Sequence, residues 1–159
     1  MIKYLITPLT VMVLCSQALA YDELLAKRYA EFFSTFDEEN VSQALRQIPA
    51  STVVEMIKQD EELVIVDVRT SKEQSMLAIT YPHTLNIPMN EVFQPENLKR
   101  IPTDKKVILT CKAGLRRTIM TLALHHVGFN NVYSMKGGIT EMNKYLGAKT
   151  AFSSPPKKP

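Results

Sequence analysis

In one stretch of the 159-residue chain, residue type and spacing together point to chemistry: Cys111-Lys112-Ala113-Gly114-Leu115-Arg116-Arg117-Thr118. A thiol attacks only as its thiolate. Here a cysteine closes an apolar run, a glycine-containing loop follows, and a helical pattern begins at once. Such a loop has backbone N–H groups to wrap around a sulfur and a helix N-terminus to aim at it. One exposed helix terminus stabilises an anion by only about 0.3–1 kcal/mol. Several loop amides and the cations Lys112, Arg116 and Arg117 must therefore act together to keep the sulfur ionised and open to incoming anions. The same cations attract a dianionic substrate. A cysteine taken at random is more often a packed core residue, but the coincidence of strand end, glycine loop and cations favours a nucleophile.

The amino terminus bears on the compartment of that thiol. Lys3, the apolar stretch from Tyr4 to Cys15, and the small residues Ala18 and Ala20 form the pattern of a secretory signal peptide over residues 1–20, cleaved after Ala20. The apolar stretch is shorter than the ~20 residues of a spanning helix, so stable membrane insertion after cleavage is not expected. Leu14 before Cys15 does not fit a lipoprotein signal. Cleavage removes Cys15 and leaves Cys111 as the lone cysteine of an exported chain, where an internal disulfide is impossible and thiols are readily oxidised. A periplasmic location follows as the expectation.

The elements that must position Cys111 follow from periodicity. Leu24, Leu25, Tyr29, Phe32, Phe33 and Phe36 recur near helical spacing and predict an amphipathic helix over Asp22 to Phe36, its aromatic stripe a packing face or a dimer contact. Val41 to Ile48 reads as a second helical piece ended by Pro49, and Ser51 as the N-cap of a short helix through Ile57. Leu63 to Val68 and Val107 to Thr110 are β-branched runs suited to strands buried on both faces, as in a parallel sheet. Ser71 to Ala78 and Arg117 to Val127 read as helices, Thr84 to Ile87 and Val132 to Met135 as strands. Gly137-Gly138 turns the chain into a last helix through Met142 and Leu146. The alternation implies an α/β fold with a parallel sheet and helices on both faces. In such folds ligands sit beyond the carboxyl ends of the strands, where Asp67-Val68-Arg69 and the Cys111 loop both fall.

Composition removes other classes. A hydrophobic content of 45% and a charged content of 22% are ordinary for a globular domain. A net charge of +3 without clustering calls for no nucleic-acid partner. Two cysteines exclude a disulfide-dense scaffold and a four-cysteine zinc site. His125 and His126 point about 100° apart on a helix and lack a partner cluster, so they are not expected to grip a metal ion. The proline- and lysine-rich residues 149–159 read as a disordered tail.

Four motifs in order resemble the rhodanese-like family: Asp67-Val68-Arg69 with Glu73, Asn86-Ile87-Pro88, the C-x-x-G-x-R loop from Cys111 to Arg116, and Gly128-Phe129-Asn130-Asn131-Val132-Tyr133-Ser134-Met135-Lys136-Gly137-Gly138. The resemblance implies a five-stranded parallel sheet flanked by helices over residues 48–148, preceded by a helical extension over 21–47. It implies a sulfurtransferase in which Cys111 takes the outer sulfur of thiosulfate or a similar donor as a persulfide and passes it to a thiophilic acceptor, cyanide or a protein. Loop residues Lys112, Ala113, Gly114, Leu115 and Arg116 would cradle the sulfur and its anionic donor, with Arg117 beside them, while Asp67 and Arg69 buttress the loop; the resemblance implies neither a metal nor an organic cofactor. Three departures stand out: Leu77 to Thr84 replaces the family's G-H-I-x-G-A stretch and bears on the pocket wall near His83, Arg117 stands where a small residue is usual, and Met142 replaces an aromatic.

Two rival readings use the same residues. Cys111 to Thr118 also satisfies C-x5-R-T, the phosphate loop of cysteine phosphatases, with Arg117 as its arginine, which suggests a phosphatase or arsenate reductase. Thr110 in place of a histidine and the lack of a nearby aspartate acid disfavour it. A non-catalytic rhodanese-like binding module, docking through Asp22 to Phe36, is the other.

Overall fold

A computed structural model describes residues 21–34, 36 and 45–147. The expected signal peptide and tail, and the stretch between Phe36 and Leu45, lie outside the described residues. The chain divides into two units, Met1–Thr35 and Phe36–Pro159. In the first, α1 (Glu23–Phe33) starts at Asp22, whose carboxylate accepts the Leu25 N–H at 2.9 Å, a side-chain N-cap. Tyr29 stacks on Phe33, and Phe32 meets Phe33 edge-on. No residue of α1 is buried.

The second unit carries β1 (Gln47–Pro49), α2 (Ala50–Lys58), β2 (Leu63–Asp67), α3 (Ser71–Met76), β3 (Thr84–Asn86), a 3-10 turn (Met89–Glu91), α4 (Pro95–Leu98), β4 (Lys106–Thr110), α5 (Leu115–His126), β5 (Val132–Lys136) and α6 (Gly138–Tyr145). The strands form one five-stranded sheet in the order β1-β5-β4-β2-β3. Every pairing is parallel, with Asp67 opposite Thr110 at the carboxyl end of β2 and β4. The five-stranded α/β sheet expected from the sequence is therefore the observed one, and β4 is its central strand.

The pleat explains the two-sided core. Along β2 and β4, Val66, Val68, Val107 and Leu109 join Cys111, Met120 and Leu124 in one apolar cluster against α5. Leu63, Ile65 and Ile108 join Val53, Val54, Met135 and Met142 in another, against α2 and α6. Alternate residues thus serve opposite faces, and a continuous apolar run is needed because both faces are covered. Fully burying such a side chain contributes roughly 1.5–3 kcal/mol.

The structure corrects several boundaries. Gln47 and Ile48 do not end a helix; they form β1, which lines up Gln47 with Ser134 on β5. Pro49, not Ser51, is the N-cap of α2, with no side-chain hydrogen bond. Helix α5 begins at Leu115, two residues before the expected Arg117, and α3 stops at Met76 rather than Ala78. The 3-10 turn and α4 are single turns that leave no periodic trace in sequence.

Candidate active site

The central strand delivers Cys111 directly past its carboxyl end. Cys111 is a free thiol, only 2% exposed, with its side chain on the α5 face beside Val68, Leu109 and Met120. The expectation of a sulfur open at the strand end is thereby corrected: the pleat that brings Val107 and Leu109 onto the core face brings Cys111 there too. The loop residues after it, Lys112 and Ala113, are exposed, and Leu115 is 77% exposed. Among the described residues, the main-chain N–H groups of Lys112, Ala113, Gly114, Leu115, Arg116 and Arg117 find no protein acceptor; the first amide to do so is that of Thr118, which donates to Gly114 O at 3.2 Å. These amides are the loop donors and the uncapped first turn of α5.

Two neighbouring elements brace this loop. From below, Gly137-Gly138 lets the start of α6 close on it. The Ile139 N–H donates to Cys111 O at 2.9 Å, the Thr140 N–H to Lys112 O at 3.1 Å, and the Thr140 hydroxyl to the same Lys112 oxygen at 2.9 Å. A Cβ on Gly138, which has φ +59°, would lie 2.3 Å from Cys111 O and 2.8 Å from Lys112 O. Only glycine fits there, which is the physical content of the second glycine in the motif.

From the side comes the loop after β2. Asp67 and Arg69 form a buried ion pair in which Arg69 Nη2 donates to Asp67 Oδ2 at 2.7 Å and Arg69 Nε donates to both carboxylate oxygens. Arg69 Nη2 also donates to Leu77 O at 2.6 Å, and Gln74 Nε2 reaches the Asp67 and Arg69 carbonyls. Thr70 and Glu73 complete a capping box at the start of α3. Glu73 then takes a two-pronged grip from Arg116, each nitrogen-to-oxygen distance 2.7 Å. That fork, with further help from Thr70, holds the Glu73 carboxyl well below the usual carboxylate range.

The two consecutive arginines therefore part company, as positions about 100° apart on a helix must. Arg116 is tied to Glu73, which raises its guanidinium above its ordinary range, with smaller contributions from the charges of Cys111 and Asp67. Arg117 is 4% exposed, and Nη1 donates to the Ser134 hydroxyl. Its Nε is buried without a hydrogen-bond partner, and no carboxylate pairs with it among the described residues. Burial pulls the Arg117 guanidinium below its ordinary range while the Cys111 charge pulls the other way. Nη2 lies 3.5 Å from where a Cβ on Gly114 would stand, so the guanidinium lies against the loop glycine.

The structure gathers Cys111, Lys112, Ala113, Gly114, Leu115, Arg116 and Arg117 at one edge of the sheet, with Asp67 and Arg69 beside them. His83 is not at this edge. It precedes β3, at the amino end of the strands, where its carbonyl accepts the Ile65 N–H at 2.9 Å. The Leu77 to Thr84 stretch instead packs Ile79 and Tyr81 on the α2 and α6 face. Gln74, Ser134 and Thr140 escaped the sequence reading. Their roles depend on partners distant in sequence, whereas the Thr70 and Glu73 box is a legible T-x-x-E motif. His125 donates from Nε2 to Val132 O at 3.2 Å, and no cluster of metal-binding side chains occurs among the described residues. No helix of the described residues is long and apolar enough to cross a membrane.

The sequence profile of the rhodanese-like domain matches residues 49–145. The chain is 30% identical over 95 residues to YtwF of Bacillus subtilis, provisionally named a sulfurtransferase, covering 60% of this chain and 87% of that protein. It is 27% identical over 95 residues to a sulfurtransferase of Allochromatium vinosum, covering 60% and 85%. A rhodanese-related protein from Thermoplasma volcanium superposes with a TM-score of 0.54 at 28% identity, over 62% of this chain and 91% of that one. The chain belongs to the rhodanese-like domain family. Within it, the relatives named sulfurtransferases support a general sulfurtransferase assignment.

Proposed function

We propose that the protein moves sulfane sulfur from thiosulfate, or a donor of the same build, through a persulfide on Cys111 to a thiophilic acceptor. The Cys111 thiolate attacks the outer sulfur of thiosulfate and sulfite leaves with the electron pair of the broken S–S bond. Cyanide or another nucleophile then attacks the outer sulfur of the persulfide, and Cys111 leaves as thiolate. No electrons enter or leave overall. The supporting observation is the row of unspent N–H groups from Lys112 to Arg117 at the end of the central strand, with the Arg117 guanidinium lying against the loop glycine. Backbone donors that are already in place stabilise developing negative charge without reorganising. Arg116 acts in this reading as the strut that fixes the loop, and Arg117 as the cation beside the reacting sulfur.

A hydrolytic reaction on the same loop needs a proton donor for the leaving group. Glu73 and Asp67, two acids beside the loop, are engaged in ion pairs with Arg116 and Arg69, which favours sulfur transfer. The family site is read as serving an exported protein, with the signal-peptide pattern of residues 1–20 as the support for that reading. The test is the mass of the protein after thiosulfate: the wild type gains one sulfur on Cys111, and Cys111→Ser gains none. An unmodified wild type that releases phosphate from aryl phosphates would reverse the reading, and inertness in both assays would make the domain a binding module.

A further inference from the structure

The first turn of α5 carries two arginines and no acid, an arrangement that the partial positive charge of a helix N-terminus disfavours. Arg116 is compensated by Glu73. Arg117 is not: it is 4% exposed, no carboxylate pairs with it among the described residues, and its Nε is buried without a hydrogen-bond partner. The other charges around the loop are committed or in water: Arg69 pairs with Asp67, Lys144 with Glu141, and Lys112 is exposed. A cation withdrawn from water is costly unless a counter-ion stands beside it. The fold shows where that counter-ion belongs. Ser134, whose hydroxyl accepts from Arg117 Nη1, lies level with Leu109 on β4, two residues before Cys111 on the same face of the sheet. Met120, three residues on from Arg117 along one side of α5, packs in the same cluster as Cys111. Nη2 meanwhile rests against Gly114 in the loop. The guanidinium is therefore enclosed by β5, α5 and the loop, on the side of the sheet that holds the sulfur.

We infer that Arg117 is the buried counter-ion of the Cys111 sulfur anion, and that Ser134 is the positioning residue that holds the guanidinium against the loop. The pairing needs only an ionised Cys111, whereas its use in catalysis rests on the sulfur-transfer reading above. In that reaction the thiolate and the persulfide that replaces it each carry one negative charge, so one cation serves both halves of the cycle. A small residue, usual at this position in the family, supplies no such charge. The device is a property of this chain.

The thiolate of the full-length protein is followed by its ultraviolet absorbance, with Cys111→Ser protein as the blank. At pH 7 the ratio of thiolate to thiol is expected to fall about tenfold in Arg117→Leu, the size of one charge-assisted contact. Arg117→Lys should restore part of that loss. Ser134→Ala, which leaves the cation but removes its anchor, should lower the ratio about threefold. In Arg117→Leu protein the same serine change should lower it no further, because Ser134 acts through Arg117; an additive loss would reduce Ser134 to a structural residue. The differences should close as pH rises towards about 9, where the thiol ionises unaided. A wild-type ratio in Arg117→Leu overturns the inference, as does a wild-type protein with no measurable thiolate at pH 7. If Arg117→Leu does not fold, a wild-type ratio in Ser134→Ala overturns it instead. Thiosulfate loading separates the two conclusions. Ratios that fall in a protein that takes up no sulfur keep the counter-ion and discard sulfur transfer, and sulfur uptake with unchanged ratios does the reverse.

Discussion

The loops leaving β2 and β4 stand side by side at one edge of the sheet, yet they are built on opposite terms. After β2, Asp67 pairs with Arg69, Glu73 with Arg116, and the main chain with Gln74. After β4, the loop keeps six amides without acceptors, and Arg117 lies buried with an unpartnered Nε. The first loop is a satisfied buttress. The second holds donors in reserve, the condition for binding an anion at little reorganisation. One fork, Arg116 on Glu73, joins the two, so the reserve is held open by a neighbour that has none.

The largest effect is expected where pairing is complete. Asp67→Ala strands the Arg69 guanidinium, whose side chain is 5% exposed, and should cost about 3–5 kcal/mol in urea unfolding. Arg117→Leu removes a buried cation that has no acid partner and should cost far less, or stabilise the fold. Equal losses at the two arginine sites would erase the contrast between the loops.

Next in size is the contact that sets the β4 loop from below. Gly138→Ala places a methyl 2.3 Å from Cys111 O at a backbone angle of +59°. The strain and the clash together should cost about 2–4 kcal/mol. Because that methyl strikes the loop backbone itself, sulfur loading of Cys111 should fall by more than the folded fraction does. Loading that tracks the folded fraction alone would show that α6 supports the fold without positioning the loop.

Much of this architecture is legible in the chain because its signals are local. The β-branched runs at Leu63 to Val68 and Val107 to Thr110 announce strands covered on both faces, and the cysteine, glycine and arginines of the loop are neighbours in sequence. What stays hidden depends on distant partners. Strand β1 is three residues long and exists through its pairing with β5; nothing in Gln47-Ile48-Pro49 alone separates it from a helix end. The depth of Cys111 follows from strand parity, a one-residue matter that no motif spells out. Two adjacent arginines look equivalent in sequence. Only a carboxylate 43 residues upstream and a hydroxyl 17 residues downstream send Arg116 outward and Arg117 inward.

The smallest effect concerns the join itself. Glu73 is held below its ordinary range by Arg116, so the folded state favours the charged carboxylate. That stabilisation is present above the ordinary carboxylate pKa of about 4.3 and is lost as pH falls below it, because the unfolded chain takes up the proton first. The two side chains are 30% and 32% exposed, so solvent screening limits the pair to about 0.5–1 kcal/mol. Glu73→Gln should therefore lower the urea midpoint modestly at pH 7, and the gap to the wild type should narrow as pH drops from about 5 towards 3. A gap that stays constant with pH would mean that the fork contributes through shape rather than charge. In that case Arg116→Lys, which keeps the charge but cannot grip both oxygens, should loosen the loop as much as Glu73→Gln does.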